Sequence, residues 1–348
     1  MDRTSKWNIY KIELEMKKLI LIVLAFAILS FISYLYYHSI MNATIEQETE
    51  QIIDIPYNTP TYKVLEIFNN YGYLKPNWLF KYLIANRIES KKKFINAGIY
   101  EIPSKISNKE LLDKLFSNDF VKFKKFSVIE GTTIYEFVEN YQKTFGVPKQ
   151  EILNLLNDQN LIKSLNIPSK SIEGYLSPDT YFFLEDSPKK HIKKLVDRQK
   201  DFLKNISKNK KVELTDYEIL ILASIIQSEA SVDEELPLIS SVYNNRLNLG
   251  MLLQADPTVL YGKYPQKTIT KKDLTNKSNK HNTYIYSGLP PTPINSPGKK
   301  AIYAAANPAN TNYLYFVLKS DTDKTHYFST NYHDHLKFVK KYRQSTKK

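Results

Sequence analysis

Residues 222 to 262 read LASIIQSEASVDEELPLISSVYNNRLNLGMLLQADPTVLYG, and the stretch turns on Glu229, a carboxylate set where a run of Ile, Leu and Ala would be expected to continue. Just upstream, Thr215 and Glu218 form a T-x-x-E capping box, in which a hydroxyl and a carboxylate bond the unpaired N–H groups at a helix start. Ile219, Leu222 and Ile226 follow at helical spacing, and at about 100° per residue Glu229 falls within about 80° of Ile219 on the same face. A carboxyl at the end of a core-facing stripe has its ionised form disfavoured, so its pKa rises and it suits general-acid work near neutral pH. Spacing leaves two other readings open: a carboxylate turned to water at a frayed helix end, or one paired with a base such as Arg246.

Downstream, Glu234, Glu235 and Pro237 suit the first turn of a second helix, because proline lacks an N–H that early positions do not use. Ser231 with Glu234 offers an alternative capping box for the same start. Val242, Tyr243 and Leu247 supply the buried stripe, Asn244, Asn245 and Arg246 its polar neighbours, and Gly250 the end. Gln254 and Asp256 flank a turn fixed by Pro257, in a position to return polar side chains toward Glu229. Taken alone, Asp256 reads as an Asx-type turn residue.

The rest of the chain bounds this reading. A length of 348 residues, 42% hydrophobic and 24% charged, suits an ordinary globular protein of about two domains. Lys and Arg outnumber Asp and Glu 49 to 36, a net charge of +13 that favours a polyanion or a membrane surface as partner and names neither. The absence of cysteine excludes disulfides, thiolate metal sites and cysteine nucleophiles.

From Leu19 to Tyr37, LILIVLAFAILSFISYLYY carries no charge, and at ~1.5 Å per residue it spans ~28 Å, close to a ~30 Å hydrocarbon core. Arg3, Lys6, Lys11, Lys17 and Lys18 precede it, so the positive-inside rule keeps the leader, residues 1–18, in the cytoplasm and sends the remainder across. A cleaved signal peptide would have a shorter apolar region and an A-x-A-like site. A retained anchor is expected, followed by a polar linker at residues 38–51.

From Ile52 the pattern reads strand, turn at Pro56–Asn58, and a helix through Val64, Leu65 and Phe68. A second helix is expected at Trp78 to Asn86, then a strand, then a helix entered through Ser107 and Glu110. Ser127 to Gln142 repeats the strand–turn–helix layout. The chain from Gln142 to Val212 reads as mostly helical, interrupted by IEGYLSPDTYFF at 172–183. His333-x-His335, with His326, forms the one close histidine group. It lacks matching carboxylates and reads as a C-terminal helix face, so no metal is expected. Phosphate-loop, G-x-S-x-G and dinucleotide motifs are absent, and neither a cofactor nor a nucleic-acid partner is expected.

Five ordered blocks, EGYLSPDTYFF, ASIIQSEA, PLISSVYNNRLNLGMLLQADPTVLYG, NTYIYSGLPPTPINSPG (282–298) and AIYAAANPANTNYLYFV (301–317), resemble the YceG-type endolytic murein transglycosylases, the MltG family. The resemblance runs from about Ile129 to Tyr342, and the Ile52 to Asp119 region is similar to the family's LysM-like module. It implies an α+β protein: a single transmembrane helix at 19–37, a small LysM-like α/β module at 52–121 and a mixed α+β catalytic domain at 122–348.

The family's catalytic glutamate corresponds to Glu229. Many relatives read E-K-E where this chain has Gln227, which leaves Glu229 as the acid on this helix; Ser177 replaces an aromatic or large apolar residue. The implied chemistry is cleavage of the MurNAc–GlcNAc bond of peptidoglycan without water, leaving a 1,6-anhydro end; by polarity and block membership Asn245, Gln254, Asn282 and Asp256 are the candidate substrate-binding residues, Asp256 also as a residue that orders the loop. The implied setting is the outer face of the cytoplasmic membrane, among peptidoglycan synthases and division proteins acting on nascent strands. The alternatives are a non-catalytic peptidoglycan-binding scaffold and a hydrolytic muramidase with Asp256 as second carboxylate.

Overall fold

The structure, a computed structural model, describes residues 3–56, 59–73, 82, 84–86, 95–117, 123–184, 187–263 and 268–346. The chain divides into two units, Met1–Phe123 and Lys124–Lys348.

The first unit begins with α1 (Arg3–Asn42), whose stretch Leu14–Asn42 contains an 18-residue window of mean hydropathy 2.6 and is long and apolar enough to cross a membrane. Strand β1 (Thr44–Glu46) pairs antiparallel with β4 (Lys105–Ser107), and β2 (Gln51–Ile55) with β3 (Gly98–Ile102). Helix α2 (Thr61–Asn70) follows β2, and α3 (Asn108–Phe116) follows β4 behind the expected Ser107–Glu110 capping box. Alternation along β2 buries Ile53 and Ile55, which meet Val64 and Phe68 of α2, Tyr100 and Ile102 of β3, and Leu111 and Leu115 of α3 in one core.

The expected linker is corrected here: α1 runs on through Asn42, and Thr44–Glu46 is a strand. Three residues are too few to display a period of two, and the partner strand lies far along the chain. Of the helix expected at Trp78 to Asn86, most lies outside the described residues; Tyr82 and Ile84 to Asn86 are helical. The turn at Pro56–Asn58 also lies largely outside them.

The second unit opens with β5 (Lys124–Val128) and α4 (Ile134–Phe145), capped by a Thr133–Glu136 box. Helices α5 (Lys149–Leu156) and α6 (Gln159–Ser164) lead to β6 (Asp179–Phe183), which pairs antiparallel with β5. After α7 (Pro188–Ser207) comes α8 (Asp216–Glu229), entered through the expected Thr215–Glu218 box. A 3₁₀ turn (Asp233–Glu235) precedes α9 (Leu236–Asn248), with Pro237 in its first turn; no side chain caps this start, so the Ser231–Glu234 box does not form. Gly250 adopts φ 66° and ends the region as expected. Short helices α10 (Asp256–Leu260) and α11 (Lys271–Leu274), then α12 (Lys299–Ala306), the antiparallel pair β7 (Tyr315–Leu318) and β8 (His326–Ser329), and α13 (Tyr332–Ser345) complete the unit.

Helix α8 is the centre of this unit. Every residue from Ile219 to Ile226 is buried, so the helix carries no solvent face along its middle and is enclosed rather than amphipathic. It packs most extensively on α12, where Ala301, Ala304 and Ala305 are buried and their small side chains let the two backbones approach closely. The loop before α12 is laced to the same helix: Ile294 N donates to Ser224 Oγ at 3.0 Å, and Asn295 Nδ2 donates to Ser224 O and Ser228 Oγ, both at 2.8 Å.

Candidate active site

Because α8 is held on all sides, the position of its last residue is fixed, and that residue is Glu229. Its carboxyl enters a cleft of about 370 Å³ whose walls include Tyr243 and Arg246 of α9, Gln254 and Asp256 of the following loop, Tyr284, and residues of β7, β8 and α13. Tyr243, itself buried, donates its hydroxyl to Glu229 Oε1 at 3.2 Å.

Desolvation is the largest influence on Glu229, and the negative charge of Asp256 adds to it. Together they outweigh the Tyr243 hydrogen bond and the positive charge of Arg246, so the pKa is pushed up to about 7. The residue as a whole is half-buried while its carboxyl is desolvated, which reconciles access from the cleft with a retained proton.

Arg246 is not Glu229's ion-pair partner. Its Nε donates to Leu314 O at 2.7 Å and its Nη1 to Leu253 O at 2.7 Å, so the guanidinium ties α9 to the cleft loop and to the start of β7. The loop is also stitched to the 282–286 segment. Gln254 N donates to Thr283 O at 3.1 Å and Ala255 N to Thr283 Oγ1 at 2.9 Å, with Gln254 in the left-handed region at φ 50°. Tyr284 donates its hydroxyl to Asp256 Oδ1 at 2.5 Å, and Asp256 sits in the first turn of α10 rather than in an Asx turn.

Three of the residues singled out from sequence therefore meet in the cleft: Glu229, Gln254 and Asp256. Asn245 and Asn282 do not. The Asn245 amide donates to Thr311 O at 2.8 Å and Tyr313 O at 2.9 Å. Asn282 is fully buried, donates to Asp273 O and Leu274 O, each at 3.1 Å, and accepts from Tyr284 N at 3.0 Å. Both amides hold the backbone around the cleft. Gln227, the departure from E-K-E, accepts from Gly298 N at 2.9 Å through Oε1 and secures the loop before α12.

Sequence reasoning missed Tyr243 and Tyr284 as polar partners, and it missed His326 and His335 as cleft residues. His333 and His335 do lie on the C-terminal helix α13, but His326 is on strand β8. Among the described residues no cluster of His, Asp and Glu is arranged to hold a metal.

An α+β unit whose central helix delivers a carboxyl, protonated near neutrality, into a polar cleft defines a protein equipped for proton transfer. The chain belongs to the YceG-like family, whose model matches residues 53–341. It is similar to the protein named endolytic murein transglycosylase of Bacillus subtilis (strain 168), 29% identical over 319 residues, covering 85% of this chain and 86% of that protein. It is also 26% identical over 318 residues to the protein of the same name from Streptococcus pneumoniae serotype 2, covering 81% of this chain and 56% of the longer relative. A crystal structure of a YceG-like protein from Listeria monocytogenes shares 26% identity and a TM-score of 0.54 over 84% of this chain and 99% of that one.

Proposed function

We propose that the protein is a membrane-anchored endolytic transglycosylase that cuts MurNAc–GlcNAc bonds of nascent peptidoglycan, with Glu229 as both acid and base. The observation that carries this reading is the Glu229 carboxyl, held at the end of a buried helix in a polar cleft with its pKa near 7. The names of the relatives support the substrate. In the first step Glu229 donates its proton to the glycosidic oxygen as the C1–O bond breaks and the GlcNAc alcohol leaves. The resulting carboxylate then takes the proton from the MurNAc C6 hydroxyl while that oxygen bonds C1, which closes the 1,6-anhydro ring and restores the acid. Gln254 contacts the sugar from the exposed rim of the loop, and Asp256, bonded to Tyr284, holds the loop and keeps negative charge near Glu229.

The apolar helix α1 anchors the chain, with residues 1–18 cytoplasmic and the chain beyond about His38 on the outer face of the cytoplasmic membrane, where synthases and division proteins work on the same strands. The first unit serves as a LysM-like glycan-binding module. Its paired β2 and β3 with helices α2 and α3 on one core support that assignment.

A second reading has a specific observation in its favour. Asp256 lines the same cleft and raises Glu229's pKa, the relation expected of a second carboxylate that activates water in a muramidase. Digesting purified peptidoglycan with the protein and weighing the products decides between them: anhydro ends support the transglycosylase, ends heavier by one water the muramidase, and no fragments a scaffold.

A further inference from the structure

One buried pair, whose histidine reaches the cleft, is not used by the proton-transfer scheme. Glu235, the last residue of the 3₁₀ turn after α8, accepts from His326 N at 2.8 Å through Oε1 and bonds His326 Nδ1 at 2.6 Å through Oε2. Both side chains are about nine-tenths buried or more. A carboxylate can only accept, so the ring nitrogen facing it carries the proton, and in the neutral ring Nε2 presents a lone pair. The ring plane is fixed as well, edge-on to Phe316 with centroids 5.3 Å apart and planes at 88°.

This ring lines the same cleft as Glu229. A purely structural ion pair accounts for Glu235 and Nδ1 but gives no reason to bring the histidine ring to the wall of a polar cleft. An acceptor in such a wall is worth most when a donor arrives from the ligand, because an unmet polar group near-buried costs free energy. The donors a peptidoglycan strand offers there are sugar hydroxyls and N-acetyl N–H groups.

We propose that His326 is a substrate-contacting, specificity-determining residue whose Nε2 accepts a hydrogen bond from a hydroxyl or N-acetyl N–H of the glycan, with Glu235 as the positioning residue that sets its tautomer and plane. The identity of the ligand rests on the transglycosylase reading; the geometry of the pair does not.

The test uses the full chain in detergent carrying Glu229→Gln, so that ligand is bound and not cut, and a purified GlcNAc–MurNAc tetrasaccharide as probe. His326→Asn keeps an amide N–H where Nδ1–H stood, so the bond to Glu235 survives, but it has nothing in place of Nε2. His326→Gln retains a polar atom near Nε2. Affinity is expected to fall about three- to tenfold with Asn, the loss of one neutral hydrogen bond, and to recover in part with Gln. Nitrogen NMR of the unmutated His326 ring gives a readout that needs no change at this position: on adding glycan, the Nε2 signal shifts while Nδ1 stays protonated. Unchanged affinity in a folded His326→Asn chain, or an Nε2 signal indifferent to saturating glycan, overturns the proposal. A Glu229→Gln chain that binds no glycan overturns both this inference and the reading beneath it. Anhydro products from Glu229→Gln would remove Glu229 from the chemistry and leave the His326 contact standing.

Discussion

Replacing Glu229 with Gln should stabilise the fold in a pH-dependent way while it abolishes lysis. The carboxyl titrates at about 7 in the folded chain against 4.5 for an unperturbed glutamate. Below the unfolded value both states hold the proton and nothing is lost. As pH rises from 4.5 toward 7 the unfolded chain releases its proton first, so folding stability declines through that window and the full loss is reached above it. At ~1.36 kcal/mol per unit the shift sets an upper bound of roughly 3 kcal/mol, and water in the cleft reduces this to about 1–3 kcal/mol. Glutamine keeps the shape, accepts from Tyr243 and never ionises. Relative to wild type, Glu229→Gln should be nearly neutral at about pH 4 and more stable at about pH 8, by several degrees in Tm at ~2–4 °C per kcal/mol for a domain of this size. Thermal unfolding of the two full-length chains at both pH values measures it. A stability difference independent of pH, or a variant less stable than wild type at pH 8, refutes the account of a strained acid and points to a structural partner. The same variant should lose at least ~10²- to 10⁴-fold in the rate of bond cleavage, the worth of general acid–base catalysis.

Two neighbours of Glu229 should shift the pH–rate profile in opposite directions. Asp256→Asn removes a charge that raises the Glu229 pKa and should move the basic limb to lower pH, with anhydro-product formation falling less than in Glu229→Gln; near-complete and equal losses would favour the muramidase. Tyr243→Phe removes the hydrogen bond that favours the carboxylate and should move the same limb to higher pH. Arg246→Met leaves the carbonyls of Leu253 and Leu314 without their charged donor and should cost about 2–4 kcal/mol, read as a lowered midpoint of denaturant unfolding. In spheroplasts, added protease should degrade the chain beyond about His38 and leave the leader; protection of the catalytic unit would refute the proposed orientation.

What the sequence made legible is what is encoded locally. Glu229 stands out because it interrupts an apolar run at helical spacing behind a Thr215–Glu218 box, and all of that lies within one helix. Gly250 and Pro237 mark the ends of α9 for equally local reasons. Asn245 and Asn282 show the limit: an amide that will bind a sugar and an amide that will bind the carbonyls of Thr311 or Asp273 are the same residue type, and only the closed fold tells them apart. His326 is a sharper case. Its partner Glu235 lies 91 positions earlier, reads as an ordinary first-turn acid, and gives no pattern that spacing could detect. The enclosure of α8 was hidden too, since a stripe at Ile219, Leu222 and Ile226 says nothing of what covers the opposite face.

The placement of Glu229 as the last residue of α8 matters for the chemistry as well as for access. A helix C-terminus carries a partial negative charge from its unpaired carbonyls, which disfavours a carboxylate there and acts in the same sense as burial and as Asp256. Tyr243 and Arg246 act in the opposite sense, and neither is close enough in function to a full ion pair to cancel the rest. An acid held far above neutrality would give up its proton too reluctantly, and one at the usual glutamate value would seldom carry a proton to give. A single group asked to donate in one step and accept in the next works best between those limits. The Arg246 guanidinium, bonded to loop carbonyls instead of to the carboxylate, is what keeps the balance there: it supplies positive charge at a distance without pulling the pKa of Glu229 down to that of a salt-bridged glutamate.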